Sequence, residues 1–460
     1  MIQKKEKGYI TIYLSLTTII LLSFILTLIE GIRLRTIYFQ AETVLDIGIN
    51  SIFAEYNRET LDRYGLLLLD TSYGTEVTEE ENTISRLLYY MNLNFSPPGK
   101  DALPNYRDLT GLHADNGSFP SVSYATDDSG EVLKYQVVRY MKEKTGLSYL
   151  QHTTEAYAAG LPELSKPVAV ESPAPSQGVS NPYDDLLTSM QSSSLLHYVI
   201  KDVAEISHKT IQKEYASHRS RKEGAGLWME QESVTDIEDN GLYYSYLMEH
   251  CGRYGDVKED TKLDYEIEYL LQGKTKDDSN LKGVAEDIFQ IRYVINAAYL
   301  FTDSGKNAEA MGVASVMAGL MLNPELAEPI KMAILAAWCY AETIQDVRIV
   351  FDGKKVPYVK DGSCWNTPLF QLLTFSYHLD EYKASETGMD YEDFLYTFLA
   401  TKNQDNLQIR FCDIVEMNVR MSPGNSHFRI DRCIYQLEAK VNVSSKYGHG
   451  LSITQKYSYE

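Results

Sequence analysis

Cysteine is scarce in this sequence, and the few that occur lie far apart. Only Cys251, Cys339, Cys364, Cys412 and Cys433 are present in 460 residues. No Cys-x-x-Cys pair or Cys/His cluster joins them, so neither a zinc site nor a disulfide framework is expected. Cys412 and Cys433 could meet across a C-terminal strand pairing, but buried free thiols are the better interpretation.

The short motifs that carry common enzyme chemistry are also missing. The sequence contains no HExxH or GxSxG motif, no P-loop and no dinucleotide-binding glycine pattern. His208 and His218 lie about 15 Å apart on a predicted helix and cannot share a metal ion. We interpret Glu266 and Glu268 as an exposed helix face, and the stretch 127–130 as only a fragment of a calcium loop. We therefore predict a non-enzymatic protein with no catalytic, cofactor-binding or metal-binding residues.

Basic residues are few relative to acidic ones. The chain has 43 Lys and Arg against 64 Asp and Glu, a net charge of −21, while residues 1–35 alone carry +3. The remaining chain therefore carries −24. Because proteins bind nucleic acid through basic surfaces that neutralise phosphates, nucleic acid is not expected as a partner.

Long apolar runs are absent except for one near the N-terminus. Tyr9 to Ile29 is a stretch of 21 residues without a charge, about 30 Å as a helix and long enough to cross a bilayer. The run is longer than the apolar core of a signal peptide, and no small-x-small cleavage site follows it. Three lysines precede it and two arginines follow it, which slightly favours an N-terminus inside. We predict a single-pass anchor in the cytoplasmic membrane with a large domain outside.

Periodic apolar residues continue beyond this run. Leu34, Ile37, Ala41 and Leu45 lie three or four residues apart, which predicts one helix from about residue 9 to 62. A short buried strand at 66–69 should follow it. Further predicted elements are helices at 80–94, 131–144, 186–218, 241–272, 285–301, 309–321, 324–341 and 391–401, edge strands or loops at 100–135, a hairpin at Asp352-Gly353, alternation from Ile409, and an antiparallel sheet at 428–459 broken near 448–450. The predicted fold class is α+β and helix-rich.

A proline-rich stretch at 161–183 is the clearest boundary between domains. Five of the chain's 14 prolines lie in it, a composition typical of an extended linker. The predicted organisation is a short cytoplasmic leader (1–8), the transmembrane helix (9–29), a membrane-proximal pilin-like α+β domain (30–160), the linker (161–183) and a distal helix-rich region (184–460).

The segment Lys7-Gly8-Tyr9-Ile10-Thr11 resembles the prepilin peptidase site of type IV pilins and of the TadE-like pseudopilins of Tad (tight-adherence) systems. The resemblance implies cleavage between Gly8 and Tyr9 on the cytoplasmic side. The fifth residue after the cut is usually glutamate in pilins, and here it is Tyr13. The alternative, an incidental glycine beside an ordinary anchor, stays open.

A broader resemblance extends along most of the chain. The segments Ala54–Glu59, Asp264–Leu270, Ile291–Asn296 and Gly353–Pro357 resemble an uncharacterised family of clostridial and related Gram-positive membrane proteins. The resemblance implies a setting in Tad-type pilus loci beside TadE- and TadG-like proteins, with other pilus or pseudopilin subunits as partners. We therefore predict a minor pseudopilin-like or accessory component. The alternatives are a stand-alone surface binding protein for adhesion or cell wall and, third, an ectoenzyme of novel fold.

Overall fold

The computed structural model describes residues 6–97, 110–145, 181–212, 219–228 and 237–459. These residues form many helices and one antiparallel sheet that contains the C-terminal strands, which confirms the predicted helix-rich α+β class. The chain divides into two compact units. The first consists of Met1–Asp128, Arg221–Gln231 and Gly424–Glu460, and the second of Ser129–Ser220 and Glu232–Pro423.

The first unit combines a long helix with the sheet. Its described elements are α1 (Glu6–Phe53), α2 (Arg58–Tyr64), β1 (Leu69–Asp70), α3 (Glu80–Phe95), β2 (Leu112–Tyr124), a 3₁₀ turn (Ile430–Arg432), β3 (Cys433–Ser445) and β4 (Gly450–Ser458).

Strand β3 is the centre of the sheet. It pairs antiparallel with β2 along one edge and with β1 and β4 along the other, in a register that sets Val122 opposite Leu437 and Ala439 opposite Gln455. Val441 and Val443 are buried on one face of β3, as expected for a sheet covered on one side. The predicted terminal sheet with its break near 448–450 is confirmed.

Helix α1 has 48 residues and is therefore about 72 Å long. In its second half one face is buried, and this face packs on α3, β3 and β4. The buried residues are Ile37, Ala41, Val44, Leu45, Ile49, Ile52 and Phe53. A Cβ at Gly48 would lie 3.0 Å from the side chains of Leu87 and Met91, so α1 and α3 approach closely at this glycine.

The first helix ends earlier than residue 62. It stops at Phe53, and α2 begins after Asn57, whose side chain accepts a hydrogen bond from the amide of Thr60. A side chain that caps a new helix N-terminus competes with continuation of the old helix, which explains the break. Gly65 then ends α2 with a left-handed backbone, φ 66°.

The second unit is helical. Its described elements are α4 (Asp127–Thr145, which begins at the boundary between the units), α5 (Pro182–Ser192), α6 (Leu195–Val199), a 3₁₀ turn (Val203–Glu205), α7 (Ile237–His250), α8 (Glu266–Gln272), α9 (Asp277–Thr302), α10 (Ser304–Leu320), a 3₁₀ turn (Pro324–Leu326), α11 (Ala327–Phe351), a 3₁₀ segment (Leu369–Tyr377), α12 (Tyr391–Thr401) and α13 (Gln404–Val419). Helix α11 is its core, because every residue from Ala341 to Phe351 is buried. Helices α5, α6, α9 and α10 pack around it.

Several predicted elements of this unit are wrong. No hairpin forms at Asp352-Gly353: α11 runs on to Phe351, and Gly353 ends it with φ 70°. The segment after Ile409 belongs to helix α13, whose polar and apolar residues are buried together, so its alternation does not mark one exposed face. The predicted helix 241–272 is two helices with a loop between them. The stretch from 186 is helical only as far as Val199, apart from one 3₁₀ turn, within its described residues.

The two units do not follow the predicted boundaries. Residues from Gly424 onward join the first unit because β3 pairs with β2, whereas the sequence placed them in the region 184–460. Most of the predicted linker, 161–180, lies outside the described residues. Its last residues begin α5, where the side chain of Asn181 caps the helix and Pro182 occupies the first turn.

Candidate functional site

The first half of α1 is an apolar helix that is almost entirely exposed in the part of the chain that the structure describes. Among the described residues, it is the helix long and apolar enough to cross a membrane. The hydroxyls of Ser15, Thr17, Thr18 and Thr27 donate to carbonyls three or four residues earlier at 2.7–3.0 Å. These polar groups are therefore satisfied inside the helix, as a bilayer core requires. One N-terminal apolar helix of this length is compatible with a single-pass membrane protein.

The β3–β4 turn meets α1 just after this apolar stretch. We name residues 445–450 the boundary loop. Its His449 Nε2 lies 2.9 Å from Glu30 Oε1, and Glu30 also accepts from Arg33 at 2.9 Å. The guanidinium of Arg33 lies 4.2 Å from the centre of the Tyr447 ring, which is exposed, and Lys446 lies 5.3 Å from the same ring. Tyrosine, arginine and lysine are the residues that occupy membrane–water interfaces.

Beyond the boundary loop, α1 presents a second apolar stripe on the face opposite the sheet. Ile32, Phe39 and Ile47 follow each other at helical spacing and are 66%, 69% and 42% exposed. Thr36 and Thr43 lie between them on the same exposed face. Large apolar side chains that repeat along one exposed helix face indicate a contact surface.

Gly8 and Tyr9, the predicted processing site, lie near the start of α1. Tyr13, which stands where pilins carry glutamate, follows one helical turn later and is exposed. Cleavage between Gly8 and Tyr9 stays a prediction, because the geometry of a helix start is the same with or without processing.

A buried cluster of four charges lies at the centre of the second unit. Lys360 Nζ lies 2.6 Å from both Asp346 Oδ1 and Glu342 Oε1, and Arg292 donates to Asp346 Oδ2 through Nε at 3.1 Å and Nη2 at 2.9 Å. Asn296 Nδ2 adds a further bond to Asp346 at 2.9 Å. All of these side chains are buried, and the two cations balance the two carboxylates.

The cluster fixes the loop that follows α11. Glu342 accepts the backbone amides of Asn366 and Thr367 at 2.8 and 2.7 Å, and Arg292 donates to the carbonyl of Pro357 at 2.6 Å. Burial opposes the charge of Lys360, yet Asp346 and Glu342 hold its pKa above the ordinary value. Because each carboxylate oxygen already accepts a hydrogen bond, we interpret the cluster as a structural anchor.

Glu266 and Glu268 are buried, which corrects the prediction of an exposed helix face. Glu266 accepts the amide of Gly252 at 2.8 Å, and Glu268 accepts the amide of Tyr254 at 2.9 Å and the hydroxyl of Tyr391 at 2.6 Å. Burial raises the pKa of Glu268 to about 7. Both carboxylates hold the turn between α7 and α8 rather than face solvent.

Asp127, the first residue of the calcium-loop fragment, also binds backbone amides through its side chain. Its carboxylate accepts the amides of Tyr124, Gly224 and Gly226 at 2.8–3.1 Å. It thereby holds the segment around Gly224 against the end of β2. Within the described residues, no group of three or more His, Cys, Asp or Glu side chains could hold a metal ion. All five cysteines are free thiols, four of them buried.

Residues 174–445 match the model of a family of unknown function, DUF5702. The match covers more than half of the chain. The chain belongs to the DUF5702 family. The matched region of this DUF5702 protein includes α5 to α13 and the central strand β3, and α1 precedes it. No curated protein and no solved structure matches the chain.

The charge cluster of this DUF5702 protein is the feature that the sequence did not reveal. Glu342 and Asp346 are one helical turn apart in the buried part of α11 and follow the apolar segment 333–339, which was the available signal for a buried pair. One partner, Arg292, lies 50 residues before Glu342, and the other, Lys360, lies in the loop after α11. Only the fold brings these residues together. Trp338 is fully buried, and Trp365 is part-buried and lies 5.7 Å from the Trp338 ring.

Proposed function

We propose that this protein is a non-enzymatic, single-pass surface protein of the cytoplasmic membrane, and a minor pseudopilin-like or accessory component of a Tad-type pilus or secretion system. One observation carries the proposal: a single continuous helix is apolar and uncovered in its first half and packs on an antiparallel sheet in its second half. Pilin-like subunits need a helix whose two halves differ in this way, because one half must insert into the membrane and the other must support a folded domain.

Membrane insertion is supported by the charged and aromatic residues that lie at both ends of the apolar stretch. The lysines before Tyr9 would remain in the cytoplasm, and Arg33, Lys446 and Tyr447 would lie at the outer surface. The first unit then begins directly outside the bilayer, because the boundary loop contacts α1 at Glu30 and Arg33. Residues 1–8 would be the short cytoplasmic leader.

Assembly with other subunits is supported by the exposed stripe of Ile32, Phe39 and Ile47. Inside a bilayer, helices associate through packing and hydrogen bonds rather than through loss of water. Outside it, burial of these apolar side chains against another helix gains the hydrophobic contribution as well. The stripe would thus carry pairing with pilus or pseudopilin helices beyond the membrane surface.

Mass spectrometry of the mature N-terminus tests the pilus-subunit part of the proposal. We expect Tyr9 as the first residue in cells that contain a prepilin peptidase, and an uncleaved chain in the Gly8→Leu variant. An intact Met1 in the wild-type protein would contradict a processed pilus subunit and favour a stand-alone surface binding protein.

Disulfide cross-linking tests the assembly stripe. Phe39→Cys, in a Cys364→Ser background, should form cross-linked species in membranes, since residue 39 lies at the proposed helix contact. Ser118→Cys, which is exposed on β2, is the matched control and should give far less product. Equal cross-linking at both positions would exclude the stripe as a specific contact.

A further inference from the structure

A groove of about 440 Å³ opens between α5, α9 and α11 in the second unit. Its volume falls within the range of about 300–1,000 Å³ that is typical of small-molecule sites. Three aromatic side chains and several polar ones line it, and no residue of the charge cluster does. The residues that matter here are Gln191, Lys282, Glu286, Phe289, Gln290, Tyr293 and Tyr340.

The aromatic residues form one continuous surface. The rings of Phe289 and Tyr293 are nearly parallel, with centroids 6.0 Å apart and an interplanar angle of 18°. Tyr340 lies 4.8 Å from Phe289 and 6.5 Å from Tyr293, tilted against both. Phe289 is buried, whereas Tyr293 and Tyr340 are part-exposed. The two tyrosines therefore present apolar ring area and a hydroxyl each to a ligand in the groove.

The polar residues around these rings are free to bind. Gln191 and Gln290 are exposed, and no hydrogen bond joins their side-chain amides, or the hydroxyls of Tyr293 and Tyr340, to another described residue. Lys282 and Glu286 stand 3.7 Å apart and balance each other's charge. The groove thus offers amides and hydroxyls, which both donate and accept, without a net charge.

We propose that this groove binds a neutral oligosaccharide. A pyranose ring carries C–H groups on its faces, which pack on aromatic rings, and hydroxyls around its edge, which both donate and accept hydrogen bonds. Tyr293 and Tyr340 supply the aromatic contact, and Gln191 and Gln290 supply partners for the hydroxyls. An acidic glycan is disfavoured because Glu286 neutralises Lys282 and the chain as a whole carries −21.

A proline-rich peptide is the ligand of another class that aromatic grooves accept. Its backbone offers mainly carbonyl acceptors, because proline has no N–H. The oxygens of the two glutamine amides would find no donors in such a peptide, whereas sugar hydroxyls satisfy both ends of an amide. The polar lining therefore favours the sugar. The inference goes beyond the proposed function and does not depend on it, because every residue of the groove belongs to the second unit.

Isothermal titration calorimetry on the full chain in lipid nanodiscs tests the proposal. Nanodiscs replace maltoside or glucoside detergents, which are themselves sugars and would occupy the groove. The probes are maltotetraose, cellotetraose and chitotetraose, with decaproline and a galacturonic acid tetramer as competitors of other classes. We expect at least one neutral tetrasaccharide to bind and neither competitor to do so.

Four variants separate the groove from the rest of the surface. Tyr340→Ala and Gln290→Ala should each weaken the sugar about ten-fold through loss of ring contact or of hydrogen bonds. Tyr340→Phe keeps the ring and should lose less affinity than Tyr340→Ala. Tyr377→Ala removes a tyrosine that is 86% exposed and does not line the groove, and it should bind as wild type. Because Gln290 is exposed, its variant keeps the test valid if Tyr340→Ala fails to fold.

Three results would overturn the proposal. The first is wild-type protein that binds none of the three neutral sugars. The second is sugar affinity that survives both Gln290→Ala and Tyr340→Ala. The third is binding of decaproline or of the galacturonic acid tetramer that these two substitutions abolish, since the groove would then take a ligand of another class.

Discussion

Replacement of Lys360 by methionine should strongly destabilise the second unit. Methionine keeps an unbranched side chain of similar length but removes the ammonium group that lies 2.6 Å from both Asp346 and Glu342. Arg292 then remains as the only cation of the cluster, so two buried carboxylates share one positive charge. The hydrogen bonds from Asn366 and Thr367 to Glu342 persist but do not neutralise it.

The expected loss follows from the cost of an unpaired buried charge. Breaking a buried ion pair from one side costs about 3–5 kcal/mol. For a unit of this size such a loss lowers the melting temperature by roughly 6–20 °C. One carboxylate can escape the cost by binding a proton, so the variant should lose less stability at pH 5 than at pH 8. Glu342→Gln in the Lys360→Met background removes the surplus negative charge and should recover part of the loss.

Urea unfolding followed by tryptophan fluorescence measures this effect. Trp338 and Trp365 both donate to the carbonyl of Thr367, next to the cluster, and therefore report on this unit. Trp228 belongs to the first unit and is replaced by phenylalanine in all samples. Lys402→Met is the matched control, since its partner Asp287 at 3.0 Å is part-exposed and such pairs contribute about 0–1 kcal/mol.

The reasoning is refuted if Lys360→Met costs no more than Lys402→Met, or if the double variant is less stable than Lys360→Met alone. The first result would mean that water reaches the cluster. The second would mean that the Glu342 charge is favourable without Lys360, contrary to the proposed balance of two cations and two carboxylates.

Three further predictions concern other parts of the chain. Burial raises the pKa of Glu268 from 4.5 to about 7. Between these pH values the folded wild-type protein therefore holds a proton that the unfolded chain releases. The free energy of unfolding should fall as pH rises from 4.5 to 7, by up to about 3 kcal/mol. Glu268→Gln should lack this slope in urea unfolding, and parallel pH profiles would contradict the assignment. Gly224→Ala places a Cβ against the carbonyl oxygen of Val122 and should destabilise the first unit by about 1–3 kcal/mol. The readout is fluorescence of a chain that keeps Trp228, and an unchanged urea midpoint would argue against the close contact. Leu21→Arg should raise the cost of insertion by about 3 kcal/mol and release the chain on carbonate extraction, whereas Leu21→Ile should stay in the pellet; retention of both variants would count against a lipid-embedded residue 21.

The sequence predicted best the parts of the fold that follow local rules. The apolar stretch from Tyr9 to Ile29 and the alternation in β3 and β4 are periodic signals that neighbouring residues determine. The helix-rich α+β class followed from these signals. Local rules failed where capping decided the outcome, as at Asn57, which starts a new helix inside a predicted continuous one.

Helices buried on all sides were the main source of error. In α11 and α13 both polar and apolar residues are buried, so the contrast between an inner and an outer face disappears. The end of α11 was therefore predicted as a hairpin, and part of α13 as an alternating segment. Glu266 and Glu268 were misread for the same reason, because backbone amides of a distant turn satisfy them and charge alone suggests exposure.

Sites formed by residues far apart in the chain could not be predicted from the sequence. Gly8, Tyr9 and the anchor could be named because they lie in one short segment. The charge cluster and the aromatic groove join residues up to about 150 positions apart in the chain, from Gln191 to Tyr340. Helix α9 supplies five of the seven groove residues, but Gln191 and Tyr340 come from other helices, so no local pattern marks the complete groove.

Cysteine labelling of intact cells tests most directly the claim that α1 holds both units outside the membrane. Ser118→Cys in the first unit and Ser315→Cys in the second are exposed positions, and Cys364→Ser removes the one native thiol that is part-exposed. A membrane-impermeant maleimide should label both variants in intact cells as fully as in lysed cells, with the protein retained in the membrane pellet. Labelling that appears only after lysis would place the units in the cytoplasm and contradict the account.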